Sequence, residues 1–322
     1  YILQRSGENF RKYLFSFYNS NGEELCLRPD LTISSVLRYA QGNKFNKEKV
    51  FYTGSAFRKS YNKKNILIKQ IGMEIFSSKD ENKDDREIID TSIKVLKKTG
   101  FKKAKVEIGN FKLFELLIQK LSIPQRWKDR LIKFYWNKEY FSQLLKRLDS
   151  NSDIDPFIVA GDHKTYLKMK KEYPKKMIAG RTYEEIIERY ERKINDPRLT
   201  KTGKTSSKII KEFLKIKCSL KDAPKKLNAF YKKYNLNISV SKEFFPISTP
   251  NQKDLKFEFS TSSGRGREVE FYSSFIFSID VKIKGKTKTF IAGGRYNELS
   301  SKNLGLRKIP AVGAAVNLGV YE

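Results

Sequence analysis

The sequence predicts an α+β fold in which antiparallel strands and helices are interrupted by an all-helical insertion. Three observations carry this. Short strand-like runs alternate with amphipathic helices over residues 1–110. From 111 to 235 one helical pattern follows another, with apolar residues at spacings of three and four. Strand patterns return in 236–322, where two β-rich runs meet at Lys284-Gly285, an antiparallel hairpin signal. These changes of character set the expected parts: a sheet-bearing domain in two pieces, 1–110 and 236–322, and a helical block, 111–235, between them.

Along the chain, EELCLRP reads as a strand from its alternating Leu25 and Leu27. Asp30 then caps a helix, LTISSVLRYAQ, that stops at Gly42. VFYTG and the run from Ile68 to Phe76 are further strands. DDREIIDTSIKVLKKTG is a helix with acidic first turn, basic last turn and Gly100 as its stop, so Asp84 and Asp85 are expected to cap it. The helical block comprises FKLFELLIQKL, PQRWKDRLIKFYW, KEYFSQLLKRL, TYEEIIERYERKI, SSKIIKEFLKI and PKKLNAFYKKY, separated by Pro, Gly, Asp or Asn. After a polar loop, EVEFYSSFIFSIDVKI turns and returns as KTFIAGG.

Composition narrows the function. The 322 residues suffice for about two domains. No run of about 18 apolar residues predicts a membrane span. The sequence opens within a strand-like run and without Met, so further residues are expected before Tyr1. Cys26 and Cys218 form no CxxC pair, which argues against disulfide scaffolding and zinc and suits a cytoplasmic setting. His163, the only histidine, is read as a loop or helix-start residue, which leaves few metal or general-base schemes. The net charge of +30 fits either a solvated Lys-rich surface or an anionic partner. Lys outnumbers Arg by about three to one and is spread over nearly every helix, so nucleic acid is disfavoured as that partner.

Three segments point to a small amino-acid pocket: CLRPDLT at 26–32, FYTGSAFRKS at 51–60 and KQIGMEIF at 69–76. In the last, Ile71, Met73 and Ile75 are expected to enter a core, while Gln70, Gly72 and Glu74 share the opposite face. A solvated face of an antiparallel sheet would give the same pattern. Arg58, however, follows an Ala-Phe pair expected to be buried and needs a carboxylate or phosphate to offset desolvation. Glu74 and Asp30 can each hold an ammonium or imidazolium. Arg267, with Phe271 and Tyr272 on opposite faces, begins the second hairpin, and FIAGGRYNEL at 290–299 brings glycines for close backbone approach.

LRPDLT, the AFR and QxGxE pair, and AGGRYN followed by PAVG resemble the catalytic domain of class II histidyl-tRNA synthetases, where LRPE-G-T, FR, QxGxE, RGLDYY and GGRYDGL recur in that order. The resemblance covers about residues 20–110 and 264–320. It implies a six-stranded antiparallel sheet flanked by helices, with the helical block inserted, and a pairing of two copies into a homodimer core. It also implies a histidine pocket formed by Asp30, Thr32, Arg58, Gln70, Glu74, Arg267, Phe271 and Tyr272, with Phe271 and Ser273 replacing the Tyr and Thr of a YYTG pattern.

The departures oppose amino-acid activation. Val320 stands where a synthetase has the Arg that stacks on adenine, Ser60 replaces an acidic residue that helps hold ATP, and SYNKKNIL is a shortened loop. GGRYDGL has become GGRYNEL, and with the sequence running to Glu322 an anticodon-binding domain is not expected. This combination resembles the regulatory-subunit paralogues of ATP phosphoribosyltransferase, the alphaproteobacterial form above all. That implies no catalytic residue, metal or cofactor, a short-form catalytic subunit as partner in a hetero-oligomer, and histidine as effector. The alternative is a synthetase-like adenylating enzyme lacking the anticodon domain. Other motifs fall short: the GKT of TKTGKTSS lacks the Gly a phosphate loop needs at 198, where Arg stands, and GRGRE lacks the strand and helix of a dinucleotide site. No acidic pair followed by a Gly/Thr phosphate loop suits a phosphoribosyl-diphosphate site.

Overall fold

The computed structural model describes residues 11, 13–42, 45–59, 66–152, 154–172, 177–178, 180–246, 254–266 and 271–320. The chain divides into two compact units, Tyr1–Glu115 with Lys215–Glu322, and Leu116–Leu214. In chain order the strands and α-helices begin with β1 (Ser16–Tyr18), β2 (Glu24–Cys26), α1 (Thr32–Gln41), β3 (Glu48–Phe57), β4 (Leu67–Phe76), α2 (Glu81–Lys98) and β5 (Ala104–Asn110). The helices α3 (Phe111–Lys120), α4 (Gln125–Lys133), α5 (Lys138–Asp149), α6 (Pro156–Glu172), α7 (Tyr183–Ile194) and α8 (Lys201–Phe213) follow. Then come β6 (Lys217–Ser219), α9 (Ala223–Lys233), β7 (Leu255–Ser260), β8 (Phe275–Ile283), β9 (Lys286–Arg295) and β10 (Ala311–Asn317). None of the described helices is long and apolar enough to cross a membrane.

β1 and β2 form a separate hairpin, and the other strands make one eight-stranded sheet in the order β3-β4-β10-β9-β8-β5-β7-β6. The sheet is wider than the six strands the resemblance implies, and it is not wholly antiparallel, because β5 and β7 run parallel. Parallel neighbours need a long connection, and the stretch between Asn110 and Leu255 supplies one. At the β8–β9 turn, Lys284 and Gly285 both take positive φ, 49° and 76°. This is the geometry that matches a two-residue hairpin to the twist of its strands.

The stretch 215–235, grouped by its helical pattern with the insertion, lies in the sheet-bearing unit. β6 pairs with β7, and the Tyr231 hydroxyl of α9 donates to the Leu113 carbonyl at 3.2 Å. In the helical unit, α6 is an element the sequence pattern did not show. Its Phe157 and Ile158 are exposed, so no apolar stripe marks it, and His163 sits within it. The GKT motif lies on α8, where a Cβ on Gly203 would stand 2.6 Å from the Leu148 carbonyl oxygen. Its glycine serves helix crossing.

An apolar cluster of Val36, Tyr39, Phe76, Tyr296, Leu299 and Ile309 adjoins the sheet-bearing unit's cavity and shares Tyr296 with its lining. Tyr39 stacks on Phe76 at 4.7 Å between ring centroids. Each side chain fully buried there contributes about 1.5–3 kcal/mol. Of the three β4 residues expected in a core, Met73 and Ile75 are buried, but Ile71 is 45% exposed. It lies near the sheet edge, on the face that leaves Phe51 of the edge strand 68% exposed.

Candidate ligand site

Register decides what meets at the site. β4 pairs with β3 so that Gly72 faces Tyr52, and with β10 so that Glu74 faces Gly313. Pleat alternation therefore puts Tyr52, Gln70, Gly72, Glu74 and Gly313 on one face of the sheet. A Cβ on Gly313 would lie 1.4 Å from Glu74 Oε2, and one on Gly72 would lie 2.1 Å from Tyr52 Cζ. The glycines make room for a carboxyl and a phenol lying flat on the strands.

This face floors a cavity of about 330 Å³. Seven of the eight residues expected at a histidine site line it: Asp30, Thr32, Arg58, Gln70, Glu74, Phe271 and Tyr272. The eighth, Arg267, lies outside the described residues. Phe271 and Tyr272, placed on opposite faces of a strand by the sequence pattern, both reach the cavity. β8 begins only at Phe275, so strict strand alternation does not apply to them. Phe271 packs edge-on to Tyr296 with centroids 5.5 Å apart.

Glu74 is 1% exposed and bears three hydroxyl donors. Thr32 Oγ1 donates to Oε1 at 2.9 Å and Tyr52 OH to the same oxygen at 3.0 Å, while Tyr296 OH donates to Oε2. No cation approaches it in these bonds, and burial pushes its carboxyl up to about 7 against the pull of the hydroxyls, with Asp30 adding to the rise. Burial and the Glu74 charge raise both phenols well above the ordinary tyrosine range, so they remain donors.

Asp30 stands at the head of α1, which begins one residue later than expected, at Thr32. The N-cap is Leu31, without a side-chain cap bond, and not Asp30 as read from sequence; Asp30, one residue earlier, still accepts the Ile33 N–H through Oδ1 at 3.0 Å. Arg58 directs Nε to the Pro29 carbonyl at 2.7 Å and lies 3.8 Å from Asp30 through its outer nitrogen. Burial raises the Asp30 carboxyl and the Arg58 charge opposes the rise. Among the described residues the cavity thus carries two buried carboxyls and one guanidinium, a constellation suited to a zwitterion with an additional donor group.

Sequence reasoning missed Tyr52 and Tyr296 as members of this cluster, although both lie in quoted segments. Tyr296 adjoins Arg295, which is fully buried and donates through Nε to Asp85 Oδ1 at 2.9 Å. Asp85 is therefore no helix cap. Asp80 caps α2, accepting the Lys83 N–H at 3.0 Å, and Asp84 pairs with Lys47.

The broad sheet, its glycine-floored cavity and the flanking helices define a class II aminoacyl-tRNA synthetase-like catalytic fold. The chain belongs to the histidyl-tRNA synthetase family, whose sequence model matches residues 1–172. It is 26% identical to the ATP phosphoribosyltransferase regulatory subunit of Allorhizobium ampelinum, an alignment covering 100% of this chain and 89% of that one. The protein of the same name from Brucella anthropi is 25% identical, with 98% and 87% covered. Among solved structures, a histidine–tRNA ligase subunit from Alicyclobacillus acidocaldarius superposes with a TM-score of 0.53 at 16% identity, covering 99% of this chain and 82% of that one. At that identity the likeness is one of fold.

Proposed function

We propose that this chain is a non-catalytic regulatory subunit of ATP phosphoribosyltransferase that stimulates a short catalytic chain in the first step of histidine biosynthesis and senses histidine in the glycine-floored cavity. The observation that carries the reading is the extent of the relatedness: proteins named as that subunit align with 100% and 98% of the chain, both sheet pieces and the helical block included. Val320 in place of the adenine-stacking Arg supports the same reading, since activation of an amino acid requires ATP held against developing charge.

Histidine fits the cavity's chemistry. Its α-ammonium would meet Asp30, its imidazole Glu74, and its α-carboxylate Arg58 or Arg267. If effector and partner are coupled, each shifts the other's affinity by the same factor, typically by about 1–3 kcal/mol. The unit is expected in the cytoplasm, as a homodimer core within a hetero-oligomer, with light scattering of the free chain as the check on the dimer.

Steady-state assays of a short-form catalytic subunit with and without this chain test the reading. The chain alone is expected to be silent and to raise the partner's turnover on mixing. Unchanged turnover at saturating chain would refute it. Histidine-dependent exchange of pyrophosphate into ATP would instead establish the adenylating alternative, which the family membership keeps in view.

A further inference from the structure

Tyr52 touches the site without entering it. Glu74, Thr32 and Tyr296 line the cavity, whereas Tyr52 stands beside them on the neighbouring strand, opposite Gly72, outside the lining. Its hydroxyl is 3.0 Å from Glu74 Oε1 and 3.4 Å from Thr32 Oγ1, so it braces both cavity-lining groups from the adjacent strand. The ring can lie there only because Gly72 is bare: a Cβ would stand 2.1–2.5 Å from three atoms of the phenol. An ionised carboxylate has about four acceptor positions. Thr32 and Tyr52 take two on Oε1 and Tyr296 takes one on Oε2, leaving one.

We propose that Tyr52, seated over Gly72, is a positioning residue that fixes the aim and the charge of Glu74, and that the cavity consequently selects a ligand presenting an N–H donor, cationic or imidazole, to the remaining Oε2 position. The ligand class rests on the proposed function; the positioning role does not. Among the described residues, the groups facing Glu74 are Asp30 and Thr32 from the head of α1, Tyr52 from β3, Tyr296 after β9, and Gly313 of β10, which has no ionisable side chain. Asp30 opposes the charge on Glu74, and Arg58 is placed on Asp30. The three hydroxyls are therefore what favours the anion, and removing one makes the carboxyl hold its proton to higher pH.

The test is a carbon-13 NMR titration of the full chain labelled at glutamate, free of ligand, with the Glu74 resonance assigned from Glu74→Gln. In Tyr52→Phe, which keeps the ring and loses the hydroxyl, the Glu74 midpoint is expected to rise by about half a pH unit or more. Histidine affinity, read by calorimetry, should fall about twofold or more at pH 7, and the gap from wild type should narrow above pH 8. Loss of packing alone would not narrow it. Should Tyr52→Phe fail to fold, Gly72→Ala displaces the ring by another route and must move the midpoint in the same direction. An unmoved midpoint in a folded variant overturns the positioning role, even if histidine binds both proteins. A raised midpoint with no histidine binding to either protein upholds that role and discards the histidine reading.

Discussion

Two buried carboxyls sit on either side of one dipeptide, Arg295-Tyr296, and they are satisfied in opposite ways. Asp85 meets the Arg295 guanidinium, with the same Arg also donating to the Glu81 carbonyl at 3.0 Å and to Asn297 at 3.2 Å. Glu74 meets Tyr296, Tyr52 and Thr32, all neutral. Burial raises both, Asp85 to about 6 and Glu74 to about 7. The first is a closed ion pair with Arg295 at 0% exposure, whereas the second lies against a cavity and is bonded, among the described residues, by hydroxyls alone. The contrast separates a carboxyl that holds the fold together from one left in need of a partner.

The sharpest way to break the comparison is to delete each acid. Asp85→Ala leaves a buried guanidinium without its counter-charge and is expected to cost about 3–5 kcal/mol in urea unfolding. Glu74→Gln removes a charge that none of the described cationic side chains bonds, and rotation of one hydroxyl lets it accept from the new amide. Its stability at pH 8 should equal or exceed that of wild type. A loss there as large as for Asp85→Ala would show that Glu74 is structural too.

The pH dependence of stability follows in size. Both folded-state carboxyls titrate above their ordinary values of 4.5 for Glu74 and 3.8 for Asp85, so between those values and about 7 and about 6 the folded chain binds more protons than the unfolded one. Their ionisation therefore lowers stability as pH rises, over roughly pH 4 to 7. The Glu74 share is on the order of 3 kcal/mol across its window, and Glu74→Gln should remove that part of the slope. Equal slopes for wild type and variant would contradict the burial argument.

Gly313→Ala tests the floor of the cavity. Its methyl would occupy the position of Oε2, so it should cost about 1–3 kcal/mol through overpacking and push Glu74 off Tyr296. The comparison predicts that the Asp85 pair is untouched and that ligand binding suffers more than stability. Glu74→Gln is also expected to weaken histidine binding, by roughly 1–3 kcal/mol, measured by calorimetry. Equal affinities would mean that the donor-held carboxyl contributes nothing to recognition.

Much of this chain was legible in one dimension because the signals are local. The period of two in KQIGMEIF put Gln70 and Glu74 on one face, and the helical periods marked α1, α2 and the insertion. Lys284-Gly285 fixed a hairpin through its backbone preference, and the Asp30, Arg58 and Glu74 chemistry followed from desolvation. Pairing across the sheet is not local. That Gly72 lies beside Tyr52 and Gly313 beside Glu74 depends on the register between strands, and in the second pair the partners are far apart in sequence. Only the tertiary structure could therefore show that Tyr52 and Tyr296 hold the carboxyl. It also turned Asp85 from a helix cap into the partner of Arg295, because an ion pair is chosen by burial and distance and leaves no periodic trace in sequence.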